Sequence, residues 1–291
     1  MPAYRFCRTD DIPFLVDALN ACYVVHFPDQ PPLSIADFKA EIRDLNVWAS
    51  SCMAAWEDAK PIAVVIGAKR EHETLIHRIG VHPDFQRRGH ARHLLESLSH
   101  KLSVLGPPKL LAEVSDDQGA VRDLFESVGY GRQGAFADFV LTAPLAPPPP
   151  ATMITRIELA DLQSAGVLDA SVTRSWERAL TTLQNRKDRL KGFAIVSDTQ
   201  VEAYALFRDL PDEGRSEIVA LGGTHRGDPC DTDTYEPLGC LIRVVGQAGG
   251  LQVTIPKISC EEIPWIELES MGFRKGRTYT GYAEFPASRM H

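Results

Sequence analysis

A small residue set among basic ones at the start of a helix can seat a phosphate. The stretch Gln86-Arg87-Arg88-Gly89-His90-Ala91 has that composition. After it, Leu94, Leu95, Leu98, Leu102 and Leu105 recur at helical spacing, which predicts a helix over 92–105 with Gly89 and Ala91 at its start. The first N–H groups of a helix lack internal acceptors, and the helix dipole adds positive charge there. Glycine lets a bulky anion approach that backbone closely, and Arg87, Arg88 and Arg92 add charge around it. The same residues also read as an ordinary helix start on a solvated basic face. Before them, Leu75, Ile76, Ile79 and Val81 predict a buried strand over 74–81. Pro83 ends it, having no N–H for a ladder. Glu73 and His77, in or beside this strand, are titratable, although a strand histidine is more often structural.

Strand, Val81-His82-Pro83, then Gln86-x-x-Gly89-x-Ala91 at a helix start resembles the signature of the GNAT superfamily of acyl-CoA-dependent N-acyltransferases. A second stretch, Leu111 to Tyr130, resembles the family downstream. Gln118 stands where an Asn is usual, Phe125 where a Tyr is usual, and Gly129-Tyr130 where Gly-Phe is usual. The resemblance implies that acetyl-CoA is the acyl donor. The backbone of Ile79, Gly80 and Val81 would pair with the pantetheine arm and steady the thioester carbonyl. The amides of Arg87, Arg88, Gly89, His90, Ala91 and Arg92 would hold the pyrophosphate, and the Gln118 amide would reach the arm. It also implies a glutamate base at Glu113, five residues before Gln118. An exposed strand glutamate is the competing reading of that position. The usual Tyr protonates the departing thiolate, and Phe125 has no proton to give. Asp116 and Asp117 read as helix-start residues. Phe136 and Phe139 fit core packing better than an acceptor pocket.

The chain has 291 residues, 44% apolar and 24% charged, as a globular protein does. No apolar run is long enough to span a bilayer, and the first residues read as no secretory signal. The net charge of −8 argues against nucleic acid or acidic membrane as partner. The six cysteines (7, 22, 52, 230, 240 and 260) form no CxxC pair. They predict reduced, mostly buried thiols in a cytoplasmic protein without a metal.

A proline-rich run, Pro144 to Pro150, divides the chain into expected domains 1–145 and 152–291, with 146–151 as linker. Residues 1–150 hold 15 Lys+Arg against 19 Asp+Glu, and the remainder 16 against 20, so each half carries −4. Patterning over the first half predicts strand, two helices, three strands, helix, strand, helix, strand. Its last strand is placed at 136–142, and Thr9 is the expected cap of the first helix. The second half repeats the order in outline: Met271-Gly272-Phe273 matches Val128-Gly129-Tyr130. Helical segments are expected over 161–189 and 260–271. Its counterpart of the signature is missing. Asp228, Asp231 and Asp233 stand there instead, and carboxylates would repel a pyrophosphate.

The expected fold is therefore α/β (α+β): two tandem GNAT-like domains, each a mixed central sheet flanked by helices. The second copy is expected to bind no CoA. The implied activity is transfer of an acetyl (acyl) group from acetyl-CoA to a primary amine of a small molecule or peptide, by a monomer or homodimer. A non-catalytic acyl-CoA sensor or an interaction protein is the alternative.

Overall fold

The computed structural model describes residues 2–23, 31–142, 153–168, 171–197, 200–223, 236–249 and 252–284. The proline-rich run, Asp228, Asp231, Asp233 and Cys230 lie outside them. The described residues form two compact units. One comprises Met1–Gln133 with Thr280–His291, the other Gly134–Tyr279. The units therefore differ from halves cut at the proline run.

The first unit opens with β1 (Ala3–Phe6) and a helical turn leading into α1 (Ile12–Tyr23). The turn is capped by Asp11 rather than Thr9: its carboxylate accepts the Arg8 N–H at 2.7 Å and pairs with Arg5 through two 2.7 Å bonds. These bonds hold the Asp11 carboxyl down at about 2. Helix α2 (Ile35–Leu45) starts at Ser34, whose hydroxyl accepts the Asp37 N–H at 3.1 Å. Strands β2 (Met53–Glu57), β3 (Lys60–Lys69) and β4 (Glu73–Val81) follow. β2 begins only at Met53, because 49–51 wind into a helical turn. That turn rests on Gly67, where any Cβ would lie 2.4 Å from the Ser51 carbonyl oxygen. Then come α3 (His90–Leu105), β5 (Lys109–Ser115) and α4 (Gly119–Ser127).

β1 to β4 pair antiparallel, whereas β4 and β5 are parallel. Leu94, Leu95, Leu98 and Leu102 of α3 pack with Ile76, Leu110, Ala112 and Val114 on one sheet face. Helix α1 lies against β3 and β4 with Leu15, Val16, Leu19 and Cys22 buried. Each such aliphatic side chain withdrawn from water contributes roughly 1.5–3 kcal/mol.

β6 (Gly131–Thr142), expected to close the first unit, crosses into the second beyond Gln133. There it pairs antiparallel with β11 (Gln252–Ser259). The first unit is completed instead by the end of β12 (Arg274–Glu284). Tyr282 stacks on Phe125 at 6.0 Å and donates to Glu126 Oε1 at 3.0 Å, and Thr280 donates to Asp116 at 2.7 Å.

The second unit adds β7 (Ile154–Arg156), α5 (Leu159–Ser164), α6 (Leu180–Arg186), β8 (Lys191–Val196), β9 (Val201–Leu210) and β10 (Arg215–Gly223). Helix α7 (Glu236–Gly249) precedes β11, and α8 (Trp265–Ser270) precedes β12. β10 and β11 are parallel, as β4 and β5 are. The helical segments expected over 161–189 are α5 and α6, and the first ends just before Gly166, the residue expected to break them, at φ +67°. The helix expected from Cys260 begins only at Trp265, because Pro264 is its N-cap in extended conformation.

Four of the five described cysteines, Cys7, Cys22, Cys52 and Cys240, are buried, and Cys260 is exposed; all five are free thiols. No described helix is long and apolar enough to cross a membrane. No group of metal-ligating side chains forms among the described residues.

Candidate functional site

The parallel ladder between β4 and β5 runs from Glu73↔Lys109 to Ile76↔Ala112 and stops. β4 continues for five more residues and β5 for three. At the same level β4 carries a bulge: Arg78 faces Ile66 and Ile76 faces Gly67, so His77 is the extra residue. The two strands therefore part just beyond Ile76 and Ala112. His77 and Glu113 are the next residues on either side of the opening.

The backbone of β4 past this point is aimed into the opening. The His82 N–H donates to the Ile62 carbonyl at 2.8 Å, toward β3. Alternation then turns the amides and carbonyls of Val81 and Ile79 the other way. The side-chain bonds agree: Tyr23 Oη donates to the Ile79 carbonyl at 2.9 Å, and Gln86 Nε2 to the Val81 carbonyl at 3.3 Å. Gly80 has its own reason. A Cβ there would lie 2.6 Å from the Tyr23 ring and 3.0 Å from Cys22 Cβ, so glycine is what lets α1 lie on the strand. Gly80→Ala is expected to destabilise the protein by about 1–3 kcal/mol through overpacking. Thermal unfolding checks this, and an unchanged melting temperature would mean α1 is not seated there.

Helix α3 begins beyond the end of β4. Its N-cap is Gly89 at φ +84°, and Arg87 is also left-handed at φ +59°. Such a turn gathers consecutive N–H groups into a concave anion seat. The first intrahelical bond is His93 N–H to the Gly89 carbonyl at 3.0 Å. The amides of Gly89, His90, Ala91 and Arg92 therefore have no helical acceptor. Arg87, Arg88 and Gly89 are exposed. A Cβ built on Gly89 meets nothing within 4 Å, so the approach to those amides is open.

Three side chains here have other tasks. His90 turns inward, its Nδ1 hydrogen-bonded to the Tyr4 hydroxyl, and burial followed by the Arg88 charge lowers its pKa. Arg92 ties α3 to the end of α4, donating to the Ser127 carbonyl at 3.2 Å and to its hydroxyl at 2.9 Å. Arg88 lies over the Phe85 ring at 5.2 Å.

Gln118 is the N-cap of α4. Its carbonyl accepts the Val121 and Arg122 amides, and its side chain makes no capping bond. Phe125 is 1% exposed, packed edge-on to Tyr130 at 4.9 Å as well as against Tyr282. It is a core residue.

The face of the opening toward α2 is ionic. Glu41 of α2 pairs with Arg78 at 2.5 Å and stands 3.4 Å from His77 Nε2. Lys109 pairs with Glu73 at 3.0 Å. Burial brings the Arg70 guanidinium down to about 10, opposed by the charges of Glu73 and Glu113. The charge of Glu113 thus reaches the Arg70 guanidinium from β5. Tyr23, Glu41 and Arg70 carry no local signal in the sequence. Their positions follow from packing between elements far apart in the chain.

The second unit has the corresponding geometry with different residues. The β10–β11 ladder stops at Glu217↔Thr254, and Val219 is the bulged residue of β10. Setting Arg215↔Gln252 against Glu73↔Lys109 places Val219 at His77, Gly222 at Gly80 and Pro256 at Glu113. Neither candidate base has a titratable counterpart. At this level Arg178, fully buried, donates to the Ile218 carbonyl at 3.0 Å and is clamped by Glu262.

Residues 12–130 match the family model described as the acetyltransferase (GNAT) family. The chain is similar in fold to a GCN5-related N-acetyltransferase from Sphaerobacter thermophilus, with TM-score 0.68 and 15% identity over 98% of this chain and 96% of that one. It is similar also to a tandem GNAT protein from the clavulanic acid biosynthesis pathway, with TM-score 0.65 and 13% identity over 99% of both chains. A GCN5-related N-acetyltransferase from Anabaena variabilis gives TM-score 0.61 and 14% identity over 98% of this chain and 73% of that one. Residues 12–130 thus match a GNAT acetyltransferase domain, and the fold of almost the whole chain is that of GCN5-related N-acetyltransferases.

Proposed function

We propose that the first unit transfers an acetyl group from acetyl-CoA to a primary amine of a small molecule or peptide. The observation that carries this reading is the opening beyond Ile76↔Ala112 with the Gly89 amides just past the end of β4. A pantetheine arm laid along Ile79–Val81 completes the interrupted ladder, and the pyrophosphate reaches the start of α3. Gln118 stands at the start of α4, just beyond the end of β5 on the other side of the opening, with an amide available to the arm.

The acceptor amine enters from the ionic face of α2 and must arrive neutral. Glu113 takes its proton, directly or through a water, and the rest of the rate comes from holding amine and thioester together. Glu113→Gln is expected to leave the acetyl-CoA affinity unchanged and to slow turnover by about 10²–10⁴ at neutral pH. Thiol release across a panel of amines measures it, and equal rates would remove Glu113 as the base. We place the reaction in the cytoplasm, in a monomer or homodimer, without a metal.

A second reading is favoured by one observation: Phe125 offers no proton to a leaving thiolate. A non-catalytic acyl-CoA sensor would bind the ligand and release no thiol with any amine in the panel.

A further inference from the structure

A thioester that loses its sulfur at neutral pH leaves behind a thiolate, which must take up a proton, since an ordinary thiol titrates near 8.5. The base that deprotonates the amine is a poor source, having just begun as a carboxylate. On α4, the position where the resemblance puts a Tyr holds Phe125, buried among Tyr130 and Tyr282. Tyr130 is itself in the core with its hydroxyl beside Glu284, and Tyr282 donates to Glu126.

On the other sheet face the hydroxyl of Tyr23 reaches the ligand edge itself. Its oxygen lies 2.9 Å from the Ile79 carbonyl, one of the groups that alternation turns into the opening. Gly80 makes this possible, because the Tyr23 ring occupies the space a side chain there would fill. We propose that Tyr23 is the general acid of the transfer, donating its hydroxyl proton to the sulfur of the departing CoA.

The inference rests on the acetyl transfer proposed above. Burial, eased by the nearby Arg78 charge and the Ile79 carbonyl, pushes the Tyr23 hydroxyl up to about 12, so it enters the reaction carrying its proton. In the absence of ligand that proton is held by Ile79. A pantetheine amide paired to β4 takes over the Ile79 carbonyl and frees the phenol for the sulfur. The amine nitrogen then attacks the thioester carbon, and its N–H proton passes to Glu113. As the C–S bond breaks, its electron pair goes to sulfur together with the Tyr23 proton. The products are the amide and neutral CoA thiol. The proton on Glu113 returns through solvent to the Tyr23 phenolate.

The test uses the full chain and Tyr23→Phe, which keeps the ring against Gly80. Hydroxylamine is the acceptor, since it is already neutral at pH 7 and need not first lose a proton to attack. The donors are acetyl-CoA and acetyl-seleno-CoA, whose selenolate is a far better leaving group and departs without a proton. The variant is expected to bind acetyl-CoA as the parent does and to lose about 10²–10⁴ in kcat with it. With the selenium donor it should stay within a few-fold of the parent. Equal losses on both donors would assign Tyr23 a structural role and overturn the proposal, as would no loss on either. A parent chain that binds acetyl-CoA yet releases no thiol overturns acetyl transfer itself. A parent that binds none overturns the CoA seat.

Discussion

Gly89→Asp should abolish useful affinity for acetyl-CoA while leaving the fold intact. Gly89 is the exposed N-cap of α3, and the space around it is open, so an added side chain meets no protein atom within 4 Å. The chain around it need not move. What changes is the seat. A carboxylate there stands beside the amides proposed to hold the pyrophosphate. Two like charges about 4 Å apart at a protein surface repel by roughly 4 kcal/mol. At 1.4 kcal/mol per tenfold, that is about three orders of magnitude in Kd. The left-handed φ of +84° adds strain for any side chain, of about 1–2 kcal/mol, and Asp tolerates it better than most. Gly89→Ala, with the strain but no charge, should therefore bind far better than Gly89→Asp. Equal Kd values for parent and Gly89→Asp would mean that no phosphate sits at this helix start.

The largest loss of stability is expected in the second unit, from Glu262→Ala. Arg178 is fully buried and the Glu262 side chain is 2% exposed. Arg178 Nε lies 2.9 and 3.2 Å from the two carboxylate oxygens, and one terminal nitrogen lies 3.0 Å from Oε2. Arg174 Nε stands 3.5 Å from the same carboxylate, and the Ser259 hydroxyl accepts the Glu262 N–H at 3.2 Å. Removing the carboxylate leaves a guanidinium in the interior without its counter-charge, which costs about 3–5 kcal/mol. The shift of the urea midpoint of this unit measures it. Replacing both partners together, as Arg178→Met with Glu262→Leu, should restore most of the loss, because no charge then remains buried. A loss below about 1 kcal/mol for Glu262→Ala would show that water reaches the pair.

Local patterns in the sequence carry the elements that hold the first site. Ile76, Leu94, Leu98 and Leu102 bury where their spacing predicts, and Ser34 caps α2 as its type suggests. Gly89 is a helix cap because the turn needs a left-handed residue there. What stays hidden is set by distant contacts. The alternation of 136–142 is the same whichever strand lies alongside, so nothing in it shows that β6 pairs with β11. Tyr282 fills the core beside Phe125 across 157 positions of sequence, and no local signal marks it. The hydroxyl of Tyr23 meets Ile79 only because α1 lies on a glycine in β4. Arg178 and Glu262 are 84 positions apart, and each alone reads as a surface charge. The two titratable positions beside the first opening, His77 and Glu113, owe their place to the end of the ladder at Ile76↔Ala112, which no local pattern marks.

Calorimetric titration of the full chain with acetyl-CoA tests the central claim most directly. The first unit offers open amides at Gly89 and a free edge on β4, while the second has Arg178 bonded at the corresponding level. One site per chain is the predicted result. Two sites would contradict the expectation that the second unit binds no CoA, and no binding would contradict the acyl-CoA site itself.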